Sequence, residues 1–158
     1  DVCSSDLVGR MNRLGMIVDV AHASYETVKA VADKATVPFI LSHSLINIGN
    51  DRPISARTIS VEHARLVAAS GGVIGAWPSA YNKDFPEFVD NIMRLVDAVG
   101  IDHVGLGTDM DSNFKPVMDR YAQLPDLCEA LAKKGLGRKD LEKLAGGNAM
   151  RVIHQVVR

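Results

Sequence analysis

Cysteine is scarce in this chain. Two occur in 158 residues, Cys3 and Cys128, too few and too far apart for a disulfide framework or a thiolate zinc site, so a reduced, cytosolic type of chain is expected. Neither sign of charge is in excess. Eighteen basic and 19 acidic residues leave a net charge of −1, which removes the electrostatic case for nucleic acid or an anionic membrane as partner. No apolar run reaches the roughly 18–20 residues that span a bilayer. The start lacks a signal-peptide pattern, and a cytoplasmic location is expected. Residues 1–6 carry no cap, strand or targeting logic and read as a truncated or arbitrary start, which leaves one domain from 7 to 158. The chain is 47% hydrophobic and 23% charged, the composition of a globular protein with a single core.

The organising stretch is residues 16–44. Ile17-Val18-Asp19-Val20-Ala21 is an apolar run ending in His22, and Val37-Pro38-Phe39-Ile40-Leu41-Ser42 is another ending in His43. Residues 24–34 between them have helical periodicity, with Ser24 as N-cap and Val28, Val31, Ala32 and Ala35 as the inward stripe. A helix joining two strands makes them parallel. The pattern repeats: helix from Ser60, strand at 73–77, helix from Pro86 to the stop at Gly100, strand at 103–108 ending in Asp109. Helices are expected at 7–14, 122–134, 138–144 and 149–157, the last capped by Asn148. Four strand–helix units with buried, non-alternating strands fit an α/β parallel sheet, either doubly wound or an (α/β) barrel. A complete eight-unit barrel takes about 200–250 residues or more, so these four units amount to about half of one.

Ligands and chemistry gather at the carboxyl ends of parallel strands. His22 and His43 both reach that edge, and neutral imidazole is a common transition-metal ligand. Strand alternation turns both inward, provided that neither strand bulges. Asp109 ends the fourth strand above Gly105 and Gly107, where a carboxylate can bind metal or transfer a proton. Asp111 reads as supporting or loop structure. Asp19 faces away from His22 and is expected to cap or support. Residues 44–58 and 78–86 are long loops, and long loops are more often functional than short ones. The first carries Arg52, whose planar guanidinium suits a substrate carboxylate, with Arg57 a weaker candidate. The second carries Tyr81, which with Trp77 is a candidate pocket wall. His63, His103 and His154 read as structural. Gly105-x-Gly107 is no dinucleotide fingerprint, because Met110 stands where the third glycine is required.

The runs from Met11 to Ser24 and from Pro38 to Ser44 resemble the membrane (renal) dipeptidase family of zinc peptidases. So do Gly71-Gly72-Val73-Ile74-Gly75, the run from Gly100 to Asp111, and Gly146-Gly147-Asn148-Ala149-Met150-Arg151-Val152-Ile153. The resemblance runs in order from about Leu7 to the end. It implies an amidohydrolase-like (β/α)8 TIM barrel, represented here by its C-terminal half, and zinc-dependent hydrolysis of dipeptides. It implies two zinc ions with a bridging carboxylate and water, His22 and His43 as ligands of the second ion, and Asp109 as the proton-handling residue. A loop arginine, Arg52, receives the dipeptide's C-terminal carboxylate. Homodimers of the full-length protein are implied as well.

This chain departs from the family pattern in lacking the first strand's His-x-Asp pair, the bridging Glu and an upstream substrate-binding histidine. The loop from His43 to Arg52 is about two residues short, and Met110-Asp111-Ser112 follows Asp109 where the family has Phe-Asp-Gly. The chain alone is therefore expected to bind zinc weakly, to be inactive and to be poorly soluble. Two alternatives stand beside the dipeptidase. One is another amidohydrolase-type hydrolase, such as a deaminase or lactonase; the other is a non-catalytic half-barrel module. A nucleotide-binding doubly wound domain ranks below both.

Overall fold

The computed structural model describes residues 2–49, 51–110 and 112–157. Three short parallel strands, β1 (Ile40–Ser44), β2 (Val73–Ala76) and β3 (Val104–Leu106), lie side by side in chain order. Residues 17–20 extend the sheet on the β1 side only through a bridge between Asp19 and Ile40, with Val20 N–H donating to Ile40 O and Ile40 N–H to Val18 O. The strand expected at 17–21 is thus an extended segment with two ladder bonds.

The helices follow the expected punctuation. Helix α1 (Val2–Arg13) begins inside the stretch that carries no pattern in sequence. Helix α2 (Tyr25–Lys34) is capped by Ser24, whose hydroxyl accepts from Thr27 N–H, and α3 (Val61–Ala69) by Ser60, which accepts from His63 N–H. Helix α4 (Phe85–Val99) is capped by Asp84 and stops at Gly100, whose φ of 83° lies in the left-handed region that glycine enters without penalty. Helices α5 (Leu124–Lys133) and α6 (Arg138–Glu142) follow, then a π-turn at Lys143–Gly147 and α7 (Asn148–Val156). No helix among the described residues is long and apolar enough to cross a membrane.

The two faces of the sheet are buried differently. Leu41, Ile74 and Val104 join the main core with Val28 and Val31 of α2, Ala64 and Val67 of α3, and Ile92 and Leu95 of α4. On the opposite face Val73 packs with Val152 and Val156 of α7, flanked by Ile17, Val37 and Ile40. Asn148 is not the cap expected from its position. It is the first residue of α7, buried, and its amide donates to Ile101 O at 2.7 Å and Val104 O at 2.8 Å. Arg151 donates to Gly71 O and Asp102 O. Helix α7 therefore closes the edge where the strands begin. His103 sits at that same edge, its Nδ1 2.9 Å from Gly72 O, as the sequence suggests.

Strand β1 is irregular where it matters. Leu41 pairs with Ile74 and Ser44 with Ala76, so three steps on β1 match two on β2. This is a β-bulge at Ser42 and His43, the condition under which simple alternation fails to say where His43 points. The bulged Ser42 carbonyl occupies space that side chains on two glycines would need. A Cβ at Gly75 would lie 1.9 Å from Ser42 O, and one at Gly107 would lie 2.0 Å from it. Gly107 is thus required by the bulge, and the room expected above Gly105 and Gly107 is partly filled by β1 backbone.

Candidate metal and hydrolytic site

His22 and His43 meet at the carboxyl edge. Their Nε2 atoms are 3.0 Å apart and their ring planes cross at 76°. Two imidazoles on a tetrahedral zinc at about 2.0–2.1 Å stand about 3.3 Å apart, so the observed spacing suits a shared ion. Ser42 Oγ lies 2.9 Å from His43 Nδ1. With the hydroxyl accepting, His43 carries its lone pair on Nε2, the atom that faces His22. Asp109 Oδ2 is 3.7 Å from His43 Nε2. His22 and Asp109 both have left-handed backbone, with φ of 62° and 48°. Such conformations cost roughly 1–3 kcal/mol each and collect at functional sites.

The pKa of His22 is lowered, first by burial, then by the neighbouring His43 and Arg57, against the opposing pull of Asp109 and Asp19. The ring is therefore neutral at neutral pH, which is the form that ligates metal. Asp19 supports the site through the backbone. Its Oδ1 accepts from Ala21 N–H and Ser42 N–H, both at 3.0 Å, and pins the segment before His22 to the bulge before His43. Beneath the pair lies Trp77, only 1% exposed, its ring centroid 5.1 Å from that of His43 and 6.0 Å from that of His22.

The two loop arginines go to different places. Arg52 Nη1 pairs with the Glu87 carboxylate in the first turn of α4 and donates to Tyr81 O at 3.1 Å. Hydrogen bonding to Arg52 holds Glu87 below the usual carboxylate range. Tyr81 is fully buried, and its hydroxyl accepts from Ile48 N–H at 2.7 Å. It ties one loop to the other and offers no surface as a pocket wall. Arg57 instead returns to the histidines. Residues 45–47 and 59 pair through Ile59 N–H to Leu45 O and Asn47 N–H to Ile59 O, and the hydroxyl of Ser44 donates to Arg57 O at 3.0 Å. Arg57 is exposed and its guanidinium has no ion-pair partner among the described residues. Asp111 lies outside the described residues.

The donor set fits zinc in type and spacing but not in number. Among the described residues no three His, Cys, Asp or Glu side chains form a metal-binding group, whereas zinc takes three or four protein ligands. Sequence reasoning named Asp19 as a support and Trp77 as a pocket wall, and missed the Ser42 contact. The serine beside His43 left a local signal.

Comparison with known proteins identifies the family. The profile of the membrane dipeptidase family (peptidase family M19) matches residues 4–158. The dipeptidase tcpJ of Claviceps purpurea is 30% identical over 162 residues, which span 96% of this chain and 37% of the relative. Two solved structures superpose over 96% of this chain. One is the probable dipeptidase PvdM from Pseudomonas aeruginosa (TM-score 0.88, 23% identity, 53% of that chain). The other is a metallo peptidase from Rhodobacter sphaeroides liganded with a phosphinate mimic of the dipeptide L-Ala-D-Ala (TM-score 0.85, 21% identity, 46% of that chain). The chain thus spans about half of each solved structure and under two-fifths of the curated relative. With a profile match over nearly its whole length, this chain belongs to the membrane dipeptidase family, peptidase family M19.

Proposed function

We propose that this chain is the C-terminal half of a TIM-barrel metallodipeptidase and that its carboxyl edge carries half of a two-zinc site. The observation that supports this best is the meeting of His22 and His43 Nε2 atoms beside Asp109 in a chain of this family. His22 and His43 would hold one ion. When bound, zinc lowers the pKa of water and polarises a peptide carbonyl. Asp109 takes a proton from the attacking water and returns it to the leaving amine, a general acid–base role open to a carboxylate beside the reacting atoms.

The substrate's C-terminal carboxylate lies within a few bonds of the scissile carbonyl, so its partner must stand at the histidine rim. Arg57 is held there through Ser44, next to His43. Arg52 is engaged with Glu87 and Tyr81. Arg57 is therefore the carboxylate reader, with Arg52 and Tyr81 holding the loop that presents it. Recognition of a free carboxylate confines the substrate to short peptides.

The test uses the protein expressed from its whole reading frame, loaded with zinc. Dipeptides are hydrolysed and their C-terminal amides about a hundredfold more slowly. Arg57→Ala erases that difference by slowing the dipeptide, while Arg52→Ala preserves it. Equal rates on dipeptide and amide would sink the carboxylate reading. Residues 1–158 alone, with two of the required ligands, bind zinc weakly and turn over no dipeptide at an ordinary rate.

A further inference from the structure

We infer that Trp77 is the positioning residue of the two-imidazole site, a rigid indole floor that fixes the ring planes of His22 and His43 so that their Nε2 atoms converge. The inference rests on the reading that this pair binds metal. Only one of the two rings has another orienting contact: Ser42 Oγ meets His43 Nδ1. His22 has no such partner at Nδ1 among the described residues, so its ring is placed by His43 and by the T-shaped approach of Trp77.

The floor is itself fixed from both sides. Trp77 N–H donates to Ser44 O, the residue after His43, which ties the end of β2 to the end of β1. Trp77 O accepts from the Asn82 side chain at 3.1 Å. Asn82 Oδ1 accepts from Asn91 at 2.8 Å, and Asn91 Oδ1 accepts from Arg94. Asn82 and Asn91 are buried, and a fully satisfied buried amide network is rigid. The indole Nε1, by contrast, is buried without a partner among the described residues. A phenylalanine or leucine would fill the core without leaving a donor unpaired. Core filling alone therefore does not account for an indole here; a broad aromatic in T-shaped approach to both imidazoles does.

The test is zinc titration by calorimetry of the protein expressed from its whole reading frame and of its Trp77→Phe and Trp77→Leu variants, with thermal unfolding measured in parallel. The imidazole signals of His22 and His43 are followed by NMR without metal. The expected result is at least tenfold weaker zinc binding for Trp77→Leu and broadened imidazole signals. Trp77→Phe, which keeps an aromatic edge, is expected to retain most of the affinity even if it loses comparable thermal stability. Should the leucine variant fail to fold, Trp77→Met takes its place as the non-aromatic core filler, and unchanged imidazole signals there would overturn the inference. Equal zinc affinity in all three proteins, or losses that simply track thermal stability, would also overturn it and leave the metal reading standing. No zinc binding by the unaltered protein expressed from its whole reading frame would remove the metal reading and this inference together.

Discussion

The carbonyl oxygen of Ser42 stands where a side chain on Gly75 would have to be, 1.9 Å from its Cβ position. The bulge that carries His43 exists because β2 presents bare backbone there. Gly75→Ala is expected to push Ser42 back and flatten the bulge. Overpacking against backbone costs about 1–3 kcal/mol or more, and His43 should turn away from His22. Denaturant unfolding together with zinc titration checks both effects. A variant as stable as the parent with unchanged metal affinity would show that the strands part without moving His43.

Ser42 also acts through its side chain. With its hydroxyl accepting from His43 Nδ1–H at 2.9 Å, it supports the tautomer whose lone pair faces His22. Partners of this kind are worth roughly 10–100-fold in metal affinity. Ser42→Ala should weaken zinc binding by about that factor with less than about 1.5 kcal/mol lost in stability. His22→Ala and His43→Ala should each abolish binding at micromolar zinc.

Arg52 and Glu87 form a half-buried ion pair that ties the loop after β1 to the first turn of α4. Glu87 is held below its ordinary pKa by Arg52, so the stabilisation is present above the unfolded carboxyl pKa and is lost as pH falls through the depressed folded value. Partial exposure limits the pair to about 1 kcal/mol. Glu87→Gln should lower the melting temperature by a few degrees at neutral pH, and high salt should narrow the gap from the parent. Substrate KM should rise with little change in kcat if the pair holds the Arg57 loop.

His63 gives the chain an acid weakness away from the site. It is buried on α3 with Nε2 unpartnered among the described residues, edge-on to Tyr25 of α2, and burial lowers its pKa despite the nearby Glu26. The unfolded state takes up the proton first. Stability is therefore full above the ordinary histidine pKa of about 6.5 and declines below it, by at most about 1.4 kcal/mol per pH unit until the folded ring also protonates. Unfolding at pH 7 and pH 5 should show this slope in the parent and lose it in His63→Phe. An unchanged slope in the variant would point to another group.

What the sequence made legible was local. Ser24 and Ser60 cap because their hydroxyls reach backbone two or three residues on, which spacing alone reveals. His22, His43 and Asp109 could be read because each ends an apolar run at the edge where parallel strands deliver ligands. The remainder depends on distant partners. Nothing near His43 announces a bulge that is set by Gly75 and Gly107. The left-handed backbone of His22 and Asp109 leaves no compositional trace. Arg52 and Arg57 sit in one loop and differ only in which distant group captures them, Glu87 for one and Ser44 for the backbone of the other. Asn148 looked like a cap because asparagine favours that position; two carbonyls of an earlier turn and strand claimed it instead.

Those two bonds make the chain's last helix a fastener for its middle. Asn148 and Arg151 grip the backbone at Gly71, Ile101, Asp102 and Val104, the points from which β2 and β3 set out. The far ends of the same strands carry Trp77 and Asp109. A lesion confined to residues 148–156 would thus release the strands to slide lengthwise, and its first symptom would be misalignment of the opposite rim, well before the core itself came apart.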